Sequence, residues 1–280
     1  MKKQKALITG SEGFVGPYLK RELEENNYQV ISTDLNGNPD FRCDITDKNC
    51  LEKLILSVNP DVIFHLAAFS SPLKSFQQPD LCWKIGVEGT KNLLESASRL
   101  KNCRVLVVSS SAVYGNPQYV PIDEKHPLNP VSPYAKTKVE QEKIALKYKN
   151  TFIARPFNHT GPGQSKDFVI PSFKKQIKDA KENGIIYVGD LNIVKDFSDV
   201  RDVVRAYRIL IEKGKPHEIY NIGSGIGYNL KEVLEKLIAE SGKNLRIKKD
   251  PKRFGPAEIK KSICDNTKIK KLGIKFRRLF

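Results

Sequence analysis

"KALITGSEGFVGPYLKRELEENN" (Lys5–Asn27) decides the fold. A short apolar run enters Gly10, and Gly13 and Gly16 follow at three-residue spacing. Phe14, Leu19 and Leu23 then recur near one face of a helix. A strand that turns through glycines into a helix lets the backbone approach a pyrophosphate, and the helix N-terminus offers it unpaired N–H groups. Three glycines alone are a weak signal. Here the next strand, "YQVISTD" (Tyr28–Asp34), ends on an acid 18 residues after Gly16, where a carboxylate binds a ribose 2′-hydroxyl. Asp34 would repel a 2′-phosphate, and Leu35, Asn36 and Gly37 supply no arginine to accept one, so NAD(H) is favoured over NADP(H).

Further strands follow at "DVIFHLAAF" (Asp61–Phe69), "CRVLVVSSS" (Cys103–Ser111) and "TFIARPF" (Thr151–Phe157). They are nearly continuous apolar runs, as in strands buried on both faces, and helical stretches such as "EGTKNLLESASRL" separate them. The expected fold is α/β: a Rossmann-type doubly wound parallel sheet with a smaller C-terminal α/β substrate-binding region. Residues 1–153 would form the dinucleotide-binding core and 154–280 an interleaved substrate-binding region, with helices near Pro171–Ala180 and at Leu230–Gly242.

Composition narrows the class. No apolar run approaches the ~20 residues that cross a bilayer, and Met1 leads almost directly into the first strand, so a cytoplasmic protein without a membrane partner is expected. Five cysteines without paired spacing are read as reduced thiols, and with four scattered histidines they suggest no metal site. The net charge of +16 is partly local: Lys243–Arg278 carries fourteen Lys/Arg against three Asp/Glu. That stretch has only Phe254 and Phe276 as aromatics and no nucleic-acid motif, so it reads as a solvated surface, with a few arginines held back for an anionic diphosphate.

"SPYAKTK" (Ser132–Lys138) holds the chemistry. Ser132 and Pro133 make a helix start, and Tyr134 and Lys138, four apart, share a face. A phenol of pKa ~10 is a poor base near neutrality, and a nearby ammonium would lower it so that the pair trades a proton with a substrate oxygen.

Taken together, the Gly-x-x-Gly-x-x-Gly loop, "DITD" (Asp44–Asp47), "HLAA" (His65–Ala68) and this Tyr–Lys pair resemble the extended short-chain dehydrogenase/reductases, which modify nucleotide sugars. The resemblance implies that Gly10, Gly13, Phe14, Val15, Gly16, Asp34, Asp44, Ile45, Leu66, Ala67, Ala68 and Lys138 bind the cofactor. It makes Ser110, four residues before Tyr114, the hydroxyl that orients the substrate carbonyl beside Tyr134, with Ser109 and Ser111 mainly structural, Ser111 at the substrate face, and Tyr114 a pocket-lining residue without a catalytic role. Dehydratases of this kind carry an acid two positions after that hydroxyl, where this chain has Ala112. Alanine cannot protonate a leaving hydroxyl, so carbonyl or alcohol redox chemistry remains.

"RPFNHTGPGQS" (Arg155–Ser165) is similar to the corresponding segment of GDP-6-deoxy-4-keto-hexose reductases. By that resemblance Asn158, Val169, Gly189, Leu191, Arg201, Arg253 and Glu258 touch substrate, with Arg201 and Arg253 on its diphosphate. The chain departs from the family at Gly86, where relatives carry Asn, and at Gly255, where many carry Arg. The expectation is an NAD(P)-dependent reductase of a nucleotide-linked, GDP-linked, 4-keto-6-deoxy-hexose. Its rivals are a 4-epimerase that keeps NAD bound and a catalytically retired binding protein. The resemblance also implies a homodimer through paired helices that include the one carrying Tyr134.

Overall fold

The computed structural model describes residues 3–253 and 259–280. Its centre is a seven-stranded sheet in the order Ile219–Ile222, Thr151–Pro156, Arg104–Val108, Val62–His65, Gln4–Thr9, Tyr28–Asp34, Phe41–Arg42, with every neighbour parallel. Strand order reverses between Gln4–Thr9 and Val62–His65, the place where an open α/β sheet leaves a crevice at its strand ends. The apolar runs are buried as expected: all four residues of Val62–His65 and all six of Thr151–Pro156 are buried.

Helices cover both faces. Gly16–Glu25 and Val200–Lys213 bury Leu19, Leu23, Val203, Tyr207 and Leu210 on one side, where Ile269 and Ile274 join them. On the other side Lys48–Val58, Gly89–Ala97 and Pro133–Ala145 bury Leu51, Ile55, Leu93, Leu94 and Ala145. The chain beyond Ile153 contributes to this sheet as well as to the remaining structure. A smaller sheet gathers Gly227–Asn229, Val194–Asp199, Lys261–Ser262 and Asn158–Thr160, and Arg246–Lys249 pairs with Ile185–Val188. The helices Val169–Asp179 and Leu230–Ser241 pack here around Phe173, Leu191 and Ile193.

Two expectations change. Phe14 precedes the first helix, which begins at Gly16 with Pro17 in its first turn, so its ring is free to face the crevice. Cys43 and Cys50 are paired as a disulfide with Cα atoms 6.1 Å apart, while Cys82, Cys103 and Cys264 are buried free thiols. The pair stands seven positions apart along the chain, and the turn into the helix at Lys48 brings the two ends together. That closeness is not visible in the spacing. No helix among the described residues is long and apolar enough to cross a membrane, and no group of three or more His, Cys, Asp or Glu among them could hold a metal.

Candidate active site

A cavity of about 1090 Å³ opens over the strand ends, large for a single small ligand. The glycine loop forms one end. Gly10 sits at φ +72°, and a Cβ there would meet the Ala67 nitrogen at 2.6 Å, so only glycine lets the loop lie against the strand end at Leu66–Ala68. Gly13, Phe14 and Val15 line the cavity beside it, while Gly16 starts the helix behind them. The Ser11 hydroxyl is buried in this loop without a hydrogen-bond partner. The Asp34 carboxylate accepts from the backbone N–H of Glu12 (3.0 Å), Leu35 (2.7 Å) and Asn36 (3.1 Å), which fixes it at the cavity edge. Asp44 and Ile45 line the same arm, with Asp44 turned back onto the Thr46 N–H at 2.8 Å. The glycine cradle, the carboxylate and the open wall at Ala67 and Ala68 fit a dinucleotide. One cation escaped the count along the chain: Arg42, the register partner of Asp34 across the sheet edge, donates to the Gly37 carbonyl at 2.9 Å.

Below this arm lies a buried histidine. His65 Nδ1 bonds the Thr9 hydroxyl (2.8 Å) and Nε2 the Thr90 hydroxyl (3.0 Å), and Gln141 also donates to Thr90 at 2.6 Å. Burial, then the charge of Lys138, lowers the ring's pKa to about 3. In the unfolded chain the ring takes its proton near pH 6.5, so the folded state is favoured above that value and loses this advantage as pH falls from there towards 3. Thermal unfolding followed from pH 7 to pH 4 is expected to show a declining midpoint, while the ring's NMR shift stays that of neutral imidazole in the folded protein. A ring that titrates near pH 6 in the folded state would contradict the buried network. Next to it, a Cβ on Gly86 would stand 2.1 Å from the Thr137 methyl, so the methyl fills the space that the relatives' Asn would need.

The three candidate catalytic side chains meet at the centre. Ser132 caps the helix Pro133–Ala145 by accepting from the Ala135 N–H at 3.1 Å, and Tyr134 and Lys138 project from it into the cavity. Ser75, itself fully buried, accepts from the Tyr134 N–H at 3.2 Å and docks the segment Pro72–Ser75 on the helix start. Ser110 ends the strand region, accepts from the Ala112 N–H at 3.1 Å and is hydrogen-bonded to the Tyr134 phenol. Lys138 Nζ donates to the Val108 carbonyl at 2.8 Å and lies 5.7 Å from the Tyr134 ring centre. Burial lowers the ammonium's pKa to about 8, while Cys82 and Glu142 hold it up. The phenol differs from expectation: burial raises Tyr134, and only its bond to Ser110 pulls the other way. Desolvation is the largest of the causes acting on Tyr134.

Glu142 is the third member of the same helix face, at eight residues from Tyr134. Arg155 grips it with two bonds, Nε to Oε1 at 2.8 Å and Nη2 to Oε2 at 2.6 Å, and the Ser109 hydroxyl donates to it as well. Arg155 Nη1 also donates to the Tyr114 hydroxyl at 2.8 Å, which in turn donates to Asn221 at 2.7 Å. Both charged side chains are 3% exposed. Tyr114 is therefore a core residue behind the cavity, not part of its lining as expected.

The far lobe receives Ser111, Asn158, Val169, Gly189, Leu191 and Arg253. Gly189 has no room for a side chain, since a Cβ would meet the Arg253 carbonyl at 2.5 Å. Arg253 lies beside Ser172 (3.3 Å) and Asp250 (3.6 Å). Arg201 is not brought to the cavity: it is turned onto Asp199 (Nε to Oδ1, 2.8 Å) at the N-terminus of its own helix. Lys195 lines the lobe as well as Arg253, and the sequence pattern had not singled it out. Ile193, Lys195 and Phe197 all face the cavity, an alternation of period two that was the available signal. His159, stacked on Phe14 with ring centres 6.1 Å apart, and Tyr207 also line the site and were not anticipated. Glu258 and Gly255 lie outside the described residues.

A glycine-cradled nucleotide arm joined to a Ser–Tyr–Lys centre defines an extended short-chain dehydrogenase/reductase. Residues 7–278 match the model of the GDP-mannose 4,6 dehydratase family. The chain belongs to that family, and so to the enzymes that act on nucleotide sugars with a nicotinamide cofactor. It is 33% identical over 266 residues to the GDP-6-deoxy-D-mannose reductase of Pseudomonas aeruginosa, covering 91% of this chain and 86% of that one. The structure of RMD from Pseudomonas aeruginosa complexed with NADPH superposes with a TM-score of 0.88 at 30% identity, over 99% of this chain and 95% of that one. The UDP-glucose 4-epimerase of Thermus thermophilus in complex with NAD also gives 0.88, at 26% identity over 99% and 95%.

Proposed function

We propose that this protein reduces the C4 ketone of a nucleotide-linked 4-keto-6-deoxy-hexose, GDP-linked by its similarity to the Pseudomonas aeruginosa reductase, with NADH the preferred donor. The observation that carries the reading is the meeting of Ser110, Tyr134 and Lys138 in one cavity whose wall has Ala112 where a dehydratase needs an acid. The nicotinamide supplies the hydride that reaches C4. Tyr134 donates its proton to the oxygen as it becomes an alkoxide, and its raised pKa keeps the phenol protonated for that task. Ser110 orients the same oxygen and stabilises the developing charge. Lys138, anchored on the Val108 carbonyl, keeps further N–H groups for the nicotinamide ribose. Asp34 receives the other ribose, and Lys195 and Arg253 face the substrate diphosphate.

The same three residues serve a 4-epimerase, a reading favoured by the equal TM-score of 0.88 to the Thermus thermophilus enzyme. Cofactor retention separates the two. A reductase releases oxidised cofactor and consumes added NADH, whereas an epimerase purifies with NAD bound and needs none. Purified protein given NADH and a GDP-4-keto-6-deoxy-hexose is expected to lose the absorbance of the reduced nicotinamide, with NADPH and the UDP- and dTDP-linked ketones as comparisons. Absence of turnover on every 4-keto sugar nucleotide, by protein shown to bind NADH, would overturn the proposal.

A further inference from the structure

Val108, Ser109 and Ser110 follow one another where the strand Arg104–Val108 runs out at the cavity. Each is tied to a different residue of the helix Pro133–Ala145. The Val108 carbonyl accepts from Lys138 at 2.8 Å, the Ser109 hydroxyl donates to Glu142, and the Ser110 hydroxyl is bonded to the Tyr134 phenol. Tyr134, Lys138 and Glu142 stand four apart, so three consecutive residues of the chain meet one face of one helix. The middle tie has the firmest far end. Arg155, on the neighbouring strand Thr151–Pro156, grips both oxygens of Glu142. Ala154, beside Arg155, accepts the Ser109 N–H at 2.8 Å. Ser109 is therefore bonded through backbone and side chain alike, and it is 2% exposed. Its one O–H is spent on Glu142, which leaves no donor for a ligand. Proton transfer, as proposed, does not use it.

We infer that Ser109 is a positioning residue: its bond to Glu142 fixes where the Ser110 hydroxyl stands beside Tyr134. The inference rests on the proposed carbonyl reduction. Ser110 has left the strand, and its hydroxyl also accepts the Ala112 N–H at 3.1 Å in the turn that follows. The peptide between Ser109 and Ser110 is planar and stiff, so a Ser109 held on both sides sets the start of that turn. Without the Glu142 bond the strand end keeps its backbone tie to Ala154 but gains freedom to swing about it. A displacement of about 1 Å at a reacting centre costs up to about a hundredfold in rate. Ser110 is needed most as the carbonyl oxygen becomes an alkoxide, so the loss falls on kcat and not on binding. Lys138 is held by a backbone carbonyl within the strand and is not released with the Ser109 hydroxyl. Glu142 keeps its pairing with Arg155 when that hydroxyl is removed, so no buried charge is left alone.

A double-mutant cycle with Ser109→Ala and Ser110→Ala tests this. Ser109→Ala is expected to lower kcat about tenfold, with KM and NADH affinity unchanged within about threefold. In protein that already carries Ser110→Ala it should cost less than about twofold more, because it acts through the hydroxyl that is gone. A residue that only supports the fold would cost the same in both backgrounds. A second readout needs no substrate. The Tyr134 phenol carbon resonance, assigned by its loss in Tyr134→Phe, reports the bond to Ser110, and Ser109→Ala should move it in the same direction as Ser110→Ala. An unchanged rate, equal losses in the two backgrounds or an unmoved Tyr134 resonance would overturn the inference. If the intact protein turned over no keto sugar, the proposed function would fail, and the Tyr134 resonance would still decide whether Ser109 places Ser110.

Discussion

Replacing Tyr134 by phenylalanine is expected to slow reduction of the keto sugar by about a hundred- to ten-thousand-fold. In the proposed mechanism the phenol is the group that gives its proton to the carbonyl oxygen; it is hydrogen-bonded to Ser110, and its backbone N–H is held by Ser75 of the segment Pro72–Ser75. Loss of its oxygen removes a contact made in the transition state, so kcat should fall while KM stays near its original value. NADH affinity should change little, because Lys138 is anchored independently on Val108. Stopped-flow measurement of hydride transfer in the variant checks the assignment. A rate within threefold of the parent enzyme would remove Tyr134 from the mechanism.

The largest effect on stability is expected beneath the site. Glu142→Gln leaves the Arg155 guanidinium, 3% exposed, without its counter-charge, and breaking one side of a buried pair costs about 3–5 kcal/mol. Urea unfolding is the measurement, and a loss under about 1 kcal/mol would show that the pair is not needed. Glu142→Leu combined with Arg155→Met should recover part of the loss, because neither charge is then buried alone. Recovery stays incomplete, since the Ser109 hydroxyl loses its acceptor and the Tyr114 hydroxyl keeps only Asn221 as a partner.

Much of this architecture could be read along the chain, for identifiable reasons. Gly10 and Asp34 are separated by one strand–helix–strand unit whose geometry is nearly invariant, so spacing alone put both at one cavity arm. Tyr134 and Lys138 sit on one helix, where a separation of four residues sets the face. Contacts between distant segments were not legible. Arg201 has the right chemistry for a phosphate, but Asp199 two residues earlier claims it, and that bond depends on how the strand end meets the helix. Lys195 was legible in principle from the alternation of Ile193, Lys195 and Phe197, had the strand been recognised. Arg155 was a further clue: a guanidinium inside a run that otherwise reads as buried on both faces demands a buried acid. Which acid, and that Tyr114 joins it, only the packing of the helix on the sheet decides.

The edge strand Ile219–Ile222 lies late in the chain, after the cavity-lining strand Val194–Asp199, yet it pairs with Thr151–Pro156, the strand that carries Arg155. The chain thus leaves the main sheet, builds most of the far lobe, and returns to close the sheet before finishing the lobe with Lys261–Ser262. Neither part can be cut free at a single point. A fragment that ends near Ile153 would expose an unpaired strand edge and lack the arginine that neutralises Glu142. The two lobes are therefore expected to unfold in one cooperative step, with the long sequence separation of their contacts making that step slow to form.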